Sequence, residues 1–182
     1  MLKLAGEWVA SPPAYARTVV ALSAVVDLEP SARALETRAT FPYRVYVVRA
    51  LLRTAAAFAK RHPDKVSFSL EGLTRFSTLR DYDRQVVVPM HGFRDLSAYY
   101  ASARSGPLLK DIRVPTLFAF AEDDPMIPSW TVKPWLAKAS PSVDVAWSKC
   151  GGHVGWFEAV SRDAFVHTWG VKRALRFLAS NG

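Results

Sequence analysis

Three stretches of the chain are almost continuously apolar and rich in β-branched or aromatic side chains. They cover residues 18–26, 114–120 and 143–147. A strand with one face in water alternates polar and apolar positions, whereas a strand buried on both faces gives an unbroken apolar run. The three runs therefore predict strands of a parallel sheet that is covered on both sides.

Other segments repeat their apolar positions with the period of a helix. Between residues 44 and 60, the residues Val45, Val48, Leu52 and Ala55 share one side, and the charged residues fall mostly elsewhere. This pattern predicts an amphipathic helix. The charged run at 80–84, which follows a Pro-containing break, is predicted to be a loop.

Helices are also predicted for residues 1–10, 96–104 and 130–139, the second with Asp95 as its N-cap. Near the end of the chain, four apolar residues follow the i, i+3, i+4, i+7 spacing of a helix face. The residues of that face are Val171, Ala174, Leu175 and Leu178. A terminal amphipathic helix is therefore expected.

The order of these elements indicates the fold class. Strands alternate with helices, and a long helical insertion follows the first strand, which is typical of a parallel α/β sheet. A length of 182 residues favours one domain. We therefore expect about three parallel strands with flanking helices, and residues 28–90 as a helical insertion or lid.

Composition excludes several classes of function. The net charge is +8, but the basic residues are scattered and no aromatic-interleaved basic motif occurs, so no nucleic-acid partner is predicted. Weak contact with an anionic membrane surface stays open. The single cysteine, Cys150, rules out an internal disulfide and favours the cytoplasm. The four histidines lack metal-ligand spacing, and neither a metal nor a cofactor is implied.

Two polar side chains follow the second and third predicted strands. Asp124 comes a few residues after the strand at 114–120, and His153 lies in a glycine-rich turn after the strand at 143–147. Because the carboxyl ends of parallel strands share one edge of the sheet, both side chains are expected to converge there. A carboxylate that accepts the Nδ1–H of an imidazole fixes its tautomer and stabilises its protonated form. Asp124 and His153 are therefore the candidate catalytic acid and base.

Other reactive side chains fit a catalytic role less well. Ser102 and Ser105 lie on or beside a helix end and are better explained as capping or solvent-facing residues. His91 is better explained as a residue of a turn. Cys150 is only three residues before His153, and such closeness in one turn disfavours a cysteine–histidine nucleophile.

In these segments the chain resembles a branch of the α/β-hydrolase superfamily that comprises bacterial predicted hydrolases and their lipid-ester-cleaving eukaryotic relatives. The resemblance covers nearly the whole chain. Its motifs are His91-Gly92-Phe93, Tyr99-Tyr100, the segments 102–107 and 112–117, Asp124-Pro125-Met126-Ile127-Pro128 and Gly151-Gly152-His153-Val154-Gly155. The resemblance implies that the chain is the C-terminal part of an α/β-hydrolase domain. It also implies that Asp124, which precedes Pro125, is the triad acid rather than Asp123.

In this superfamily the triad serine precedes the acid and the histidine, in a G-x-S-x-G turn. No such motif occurs among the 182 residues, and the resemblance implies that Met1 falls just after it. The serine, the oxyanion hole and the missing N-terminal half are thus expected upstream or on a separate chain. The expected function is hydrolysis of a small-molecule or lipid-like carboxylic ester, with this chain inactive alone. The alternative is a non-catalytic hydrolase remnant or a subunit that docks its open sheet edge on a partner.

Overall fold

The computed structural model describes residues 1–8, 12–13, 16–160 and 166–181. The chain divides into two compact units, one formed by Met1–Asp27 with Arg104–Gly182 and the other by Leu28–Ala103. In chain order the elements are α1 (Leu2–Glu7), β1 (Val19–Leu22), α2 (Leu28–Ala34), α3 (Phe41–Arg61), α4 (Leu79–Tyr82), α5 (Val88–Met90), α6 (Leu96–Ala103), β2 (Thr116–Ala121), α7 (Lys133–Leu136), β3 (Val143–Ser148), β4 (Phe157–Val160), β5 (Val166–Thr168) and α8 (Trp169–Asn181).

The first unit is built on a sheet with strand order β1-β2-β3, and both pairings are parallel. Val19 pairs with Thr116, which in turn pairs with Val143. The predicted fold class, an α/β fold with three parallel strands, is therefore confirmed. β2 is the central strand and all six of its residues are buried, which explains its unbroken apolar run.

Alternate residues of the strands enter two separate apolar cores. On one face Phe118 and Phe120 pack with residues of α1, whereas on the other Leu117 and Ala119 pack against Trp169 and Phe177 of α8. The side chains of the sheet thus alternate between two helical layers, as the period of two in a strand requires.

The first strand is shorter than predicted. The apolar run continues to Val26, but β1 ends at Leu22 because Ser23 has a φ of +44°. This left-handed backbone conformation interrupts the extended chain.

The second unit is helical. The 21-residue α3 confirms the helix predicted at 44–60, and Ala55 on this helix packs in a small core with Tyr82 and Val86. Asp95 accepts the Ala98 N–H at 2.7 Å, as expected of the N-cap of α6. The unit spans Leu28–Ala103, and the role of residues 28–90 as a lid stays a prediction.

The prediction of a loop at 80–84 is wrong, because these residues lie in α4 and in the helical turn that follows it. Thr78 and Asp81 form a reciprocal capping box that starts α4, so the first orphan N–H groups have acceptors. The helix then widens into a π-helical turn over Asp83–Val87 and continues as α5, which contains Pro89.

The terminal helix is present but rotated from its predicted orientation. Ala174 is buried, whereas Val171, Leu175 and Leu178 are 49%, 61% and 40% exposed. The sheet is instead contacted by Trp169 and Phe177. The antiparallel pair β4–β5 just before this helix was not predicted.

Candidate active site

Two loops at the carboxyl edge of the sheet carry Asp124 and His153. The first leaves β2 after Ala121, and the second leaves β3 after Ser148. The Glu122 N–H donates to the Ser148 carbonyl at 2.9 Å, so the two loops start side by side. Parallel pairing of adjacent strands therefore brings together residues that are distant in sequence.

The Asp124 carboxylate is held by three hydrogen bonds. Its Oδ1 accepts the backbone N–H groups of Met126 and Ile127, both at 2.9 Å. Its Oδ2 lies 2.9 Å from Nδ1 of His153. The Asp124 side chain has no exposed surface, whereas that of His153 is 31% exposed. One carboxylate oxygen thus fixes the acid in its own turn, and the other faces the imidazole.

The neighbouring Asp123 contacts the backbone of the histidine turn instead. Its carboxylate accepts the Gly151 N–H at 3.2 Å and the Gly152 N–H at 3.0 Å. The two aspartates therefore contact different parts of the same turn. The structure brings Asp124, rather than Asp123, to the His153 ring, and the role of Asp124 as the triad acid stays a prediction.

Trp156 packs beneath this turn and accounts for the glycine at position 151. A Cβ on Gly151 would lie 2.2 Å from Cδ1 of Trp156, and the φ of Gly151 is +148°. Neither the space nor the backbone conformation admits a side chain there. Trp156 is itself 2% exposed, and its backbone N–H donates to the Gly151 carbonyl at 3.0 Å.

The geometry of this pair suits proton transfer by the His153 ring. Because Nδ1 of His153 is engaged by a buried carboxylate, Nε2 is the ring nitrogen available to accept a proton. The carboxylate would stabilise the positive charge that the ring then acquires. Within the described part of the chain, no group of His, Cys, Asp and Glu side chains is suited to hold a metal ion.

The residues set aside in the sequence have other contacts. Cys150 is an exposed free thiol, and its carbonyl accepts the Ser148 hydroxyl at 2.5 Å. The Ser102 hydroxyl donates to the Tyr99 carbonyl at 3.2 Å. The His91 ring lies 6.5 Å from that of Phe93, measured between centroids.

Sequence reasoning missed two residues around the site, Ser23 and Trp156. The Ser23 hydroxyl donates to the carbonyl oxygen of His153, although the two residues are 130 positions apart. The only feature of the sequence that pointed to Ser23 was its place as a polar residue inside the first apolar run. Nothing in the pattern around Trp156 marked it as the support of the glycine turn.

Comparisons with known proteins point to a family of enzymes. The chain is 28% identical to the Escherichia coli protein YheT over 75% of its own length and 40% of that protein. It is 29% identical to phospholipase ABHD3 of Mus musculus over 55% of the chain and 24% of that protein. It is 27% identical to the monoacylglycerol lipase of Saccharomyces cerevisiae over 70% of the chain and 27% of that protein.

These relatives are members of the α/β-hydrolase family, matched in their C-terminal parts. The chain is similar in sequence to these α/β hydrolases. This similarity confirms the resemblance inferred from the motifs, and the three-stranded parallel sheet is consistent with the C-terminal part of an α/β hydrolase. No protein-family model matches the chain. The chain spans 24% to 40% of the length of these relatives.

Proposed function

We propose that this chain supplies the acid and the base of a carboxylic ester hydrolase. The observation that carries the proposal is the 2.9 Å contact between Oδ2 of the buried Asp124 and Nδ1 of His153. The phospholipase and lipase among the relatives support ester hydrolysis as the reaction class.

In the proposed mechanism, Nε2 of His153 accepts the proton of a serine hydroxyl as its oxygen attacks the ester carbonyl. Protonated His153 then returns this proton to the leaving alcohol, and an acyl-enzyme forms. A water molecule that loses its proton to His153 releases the carboxylic acid and regenerates the serine. Asp124 orients the ring and stabilises its positive charge throughout.

We infer that the serine and the oxyanion-hole donors of this mechanism belong to sequence upstream of Met1 or to a separate chain. The 182 residues contain no G-x-S-x-G turn, so the chain alone is expected to be inactive. The substrate class we propose is an ester with an apolar acyl group, because the named relatives are a phospholipase and a monoacylglycerol lipase.

The test compares the 182-residue chain with the chain expressed together with the in-frame coding sequence that precedes Met1. Hydrolysis of p-nitrophenyl esters of short and medium acyl length is measured for both. Only the extended protein is expected to be active. In it, Asp124→Asn should lower kcat about 10⁴-fold, and His153→Ala should lower it by about 10⁴- to 10⁶-fold.

The matched control is His62→Ala, which removes an exposed imidazole in the second unit. It should leave kcat within a factor of two or so of the parent value, as most surface substitutions do. Full activity of Asp124→Asn or of His153→Ala would refute the assignment of acid and base.

A non-catalytic role is the second candidate, and the position of β1 favours it. Among the described residues β1 pairs only with β2, so its outer edge is free to pair with another chain. A soluble, cooperatively unfolding 182-residue chain, with no ester hydrolysis in either form of the protein, would favour this role over catalysis.

A further inference from the structure

Ser23 occupies a backbone conformation that few residues other than glycine adopt. It follows the last residue of β1 with a φ of +44°, and it is 4% exposed. Such a conformation costs free energy for a residue with a Cβ and persists only where the surroundings fix it. The contacts of Ser23 indicate what this conformation achieves.

The backbone N–H and the side-chain hydroxyl of Ser23 each donate a hydrogen bond. The N–H donates to the Ala119 carbonyl at 3.0 Å, which extends the contact between β1 and β2 by one residue. The hydroxyl donates to the carbonyl oxygen of His153. The left-handed turn at the end of β1 therefore directs a hydroxyl donor to the histidine turn rather than to the opposite face of the sheet.

The histidine turn is thus held at three points from two parts of the chain, the loop after β2 and the end of β1. Asp124 holds the His153 ring, Asp123 holds the Gly151 and Gly152 amides, and Ser23 holds the His153 carbonyl. Two glycines in a row leave this turn with little intrinsic stiffness. The bond to Ser23 acts on the backbone of His153 itself.

We propose that Ser23 is a positioning residue for His153: its hydroxyl fixes the His153 backbone so that Nδ1 stays within hydrogen-bond distance of Asp124. The catalytic consequence of this positioning rests on the proposed function. The positioning itself is a property of the folded chain and is measurable without a substrate.

The same contact distinguishes Ser23 from a nucleophile. A serine nucleophile directs its hydroxyl proton to the imidazole, whereas the Ser23 proton is directed to a backbone carbonyl. Ser23 also lies in no G-x-S-x-G turn. Its role is therefore to orient the base and not to attack the ester.

The test is the low-field ¹H NMR signal of the His153 Nδ1–H in the 182-residue chain at low temperature, assigned by its loss in His153→Gln. This signal requires a lasting hydrogen bond to Asp124. Both Ser23→Ala and Ser23→Gly should abolish it. The glycine variant also lacks the hydroxyl but tolerates a positive φ, so it separates the hydroxyl from backbone strain and keeps the test open if the alanine variant does not fold.

The matched control is Ser180→Ala, which removes a serine hydroxyl that donates to the Arg176 carbonyl in α8 and should leave the signal intact. A signal that persists in both Ser23 variants, returns in Ser23→Gly, disappears in Ser180→Ala or is absent from the parent chain would overturn the proposal. If the signal depends on Ser23 but no form of the protein hydrolyses esters, the proposed function fails and the positioning role stands.

Discussion

At the scale of single residues, the Asp83 side chain is a buried acid outside the candidate site with a shifted pKa. It is 7% exposed and accepts the Tyr100 hydroxyl at 2.8 Å. Burial raises the pKa of Asp83 to about 6, and the hydrogen bond from Tyr100 offsets only part of this rise. The folded second unit therefore retains a proton on Asp83 at pH values where the unfolded chain has lost it.

This pKa shift predicts the direction of a pH effect on stability. Between the unfolded pKa of 3.8 and the folded pKa of about 6, the folded state binds more protons, so stability falls as pH rises through this range and stays lower above it. Asp83→Asn should remove this loss of stability and raise Tm at pH 7, by about 2–4 °C for each kcal/mol of unfolding free energy recovered. Thermal unfolding followed by circular dichroism from pH 4 to 7 measures the effect.

The control is Asp64→Asn, which changes an exposed carboxylate of the same unit and should shift Tm equally at every pH. A difference between Asp83→Asn and the parent chain that is constant from pH 4 to 7 would contradict the assignment of this titration to Asp83.

At the scale of elements, the contact between α8 and Trp156 explains the orientation of the terminal helix. A Cβ on Gly170, in the first turn of α8, would lie 2.1 Å from Cε3 of Trp156. The backbone N–H of Trp169 donates to the Trp156 carbonyl at 2.8 Å. The helix therefore turns its smallest residue to the indole that supports the histidine turn, and part of its apolar face stays exposed.

This contact reverses the usual effect of replacing a helical glycine. Alanine in a helix interior is ordinarily more stable than glycine by about 1 kcal/mol. Gly170→Ala should instead destabilise the chain by about 1–3 kcal/mol, because the added methyl group overpacks against Trp156. Chemical denaturation measures this difference, with Ser180→Ala on the same helix as the control expected within about 0.5 kcal/mol.

A double variant tests the cause of the destabilisation. If Trp156→Leu makes room for the methyl group, its effect and that of Gly170→Ala will sum to more than the effect of the double variant. Strict additivity would mean that Gly170 is required for some reason other than the indole.

At the scale of the whole molecule, the net charge of +8 determines which surfaces attract the chain. Among the described residues no helix is long and apolar enough to cross a bilayer. Scattered basic side chains act at a distance and are weakened by salt. Weak contact with an anionic membrane surface therefore stays a prediction that can be tested.

We therefore expect the 182-residue chain to sediment with vesicles containing anionic lipid at about 0.01 M salt and to be released at about 1 M salt, where the screening length falls from about 30 to about 3 Å. Zwitterionic vesicles should not retain it. Equal binding to both kinds of vesicle would show that apolar contact, and not charge, holds the chain at the surface.

The sequence by itself determined the parallel sheet, its three strands and the pairing of Asp124 with His153. These follow from local causes: unbroken apolar runs define buried strands, and the residues just after adjacent parallel strands share one edge. The spacing of Thr78 and Asp81 is that of a capping box and indicates a helix start. The density of charge at 80–84 nevertheless led to the prediction of a loop.

Only the tertiary structure decided the details around the histidine. The left-handed turn at Ser23 and its bond to a residue 130 positions away depend on strand pairing, which no local pattern encodes. The orientation of α8 likewise depends on the space that Trp156 occupies, because packing against a specific neighbour overrides the periodicity of apolar residues on a helix. Local sequence therefore predicted that Asp124 and His153 meet, whereas the restraints around His153 arise from contacts between distant segments.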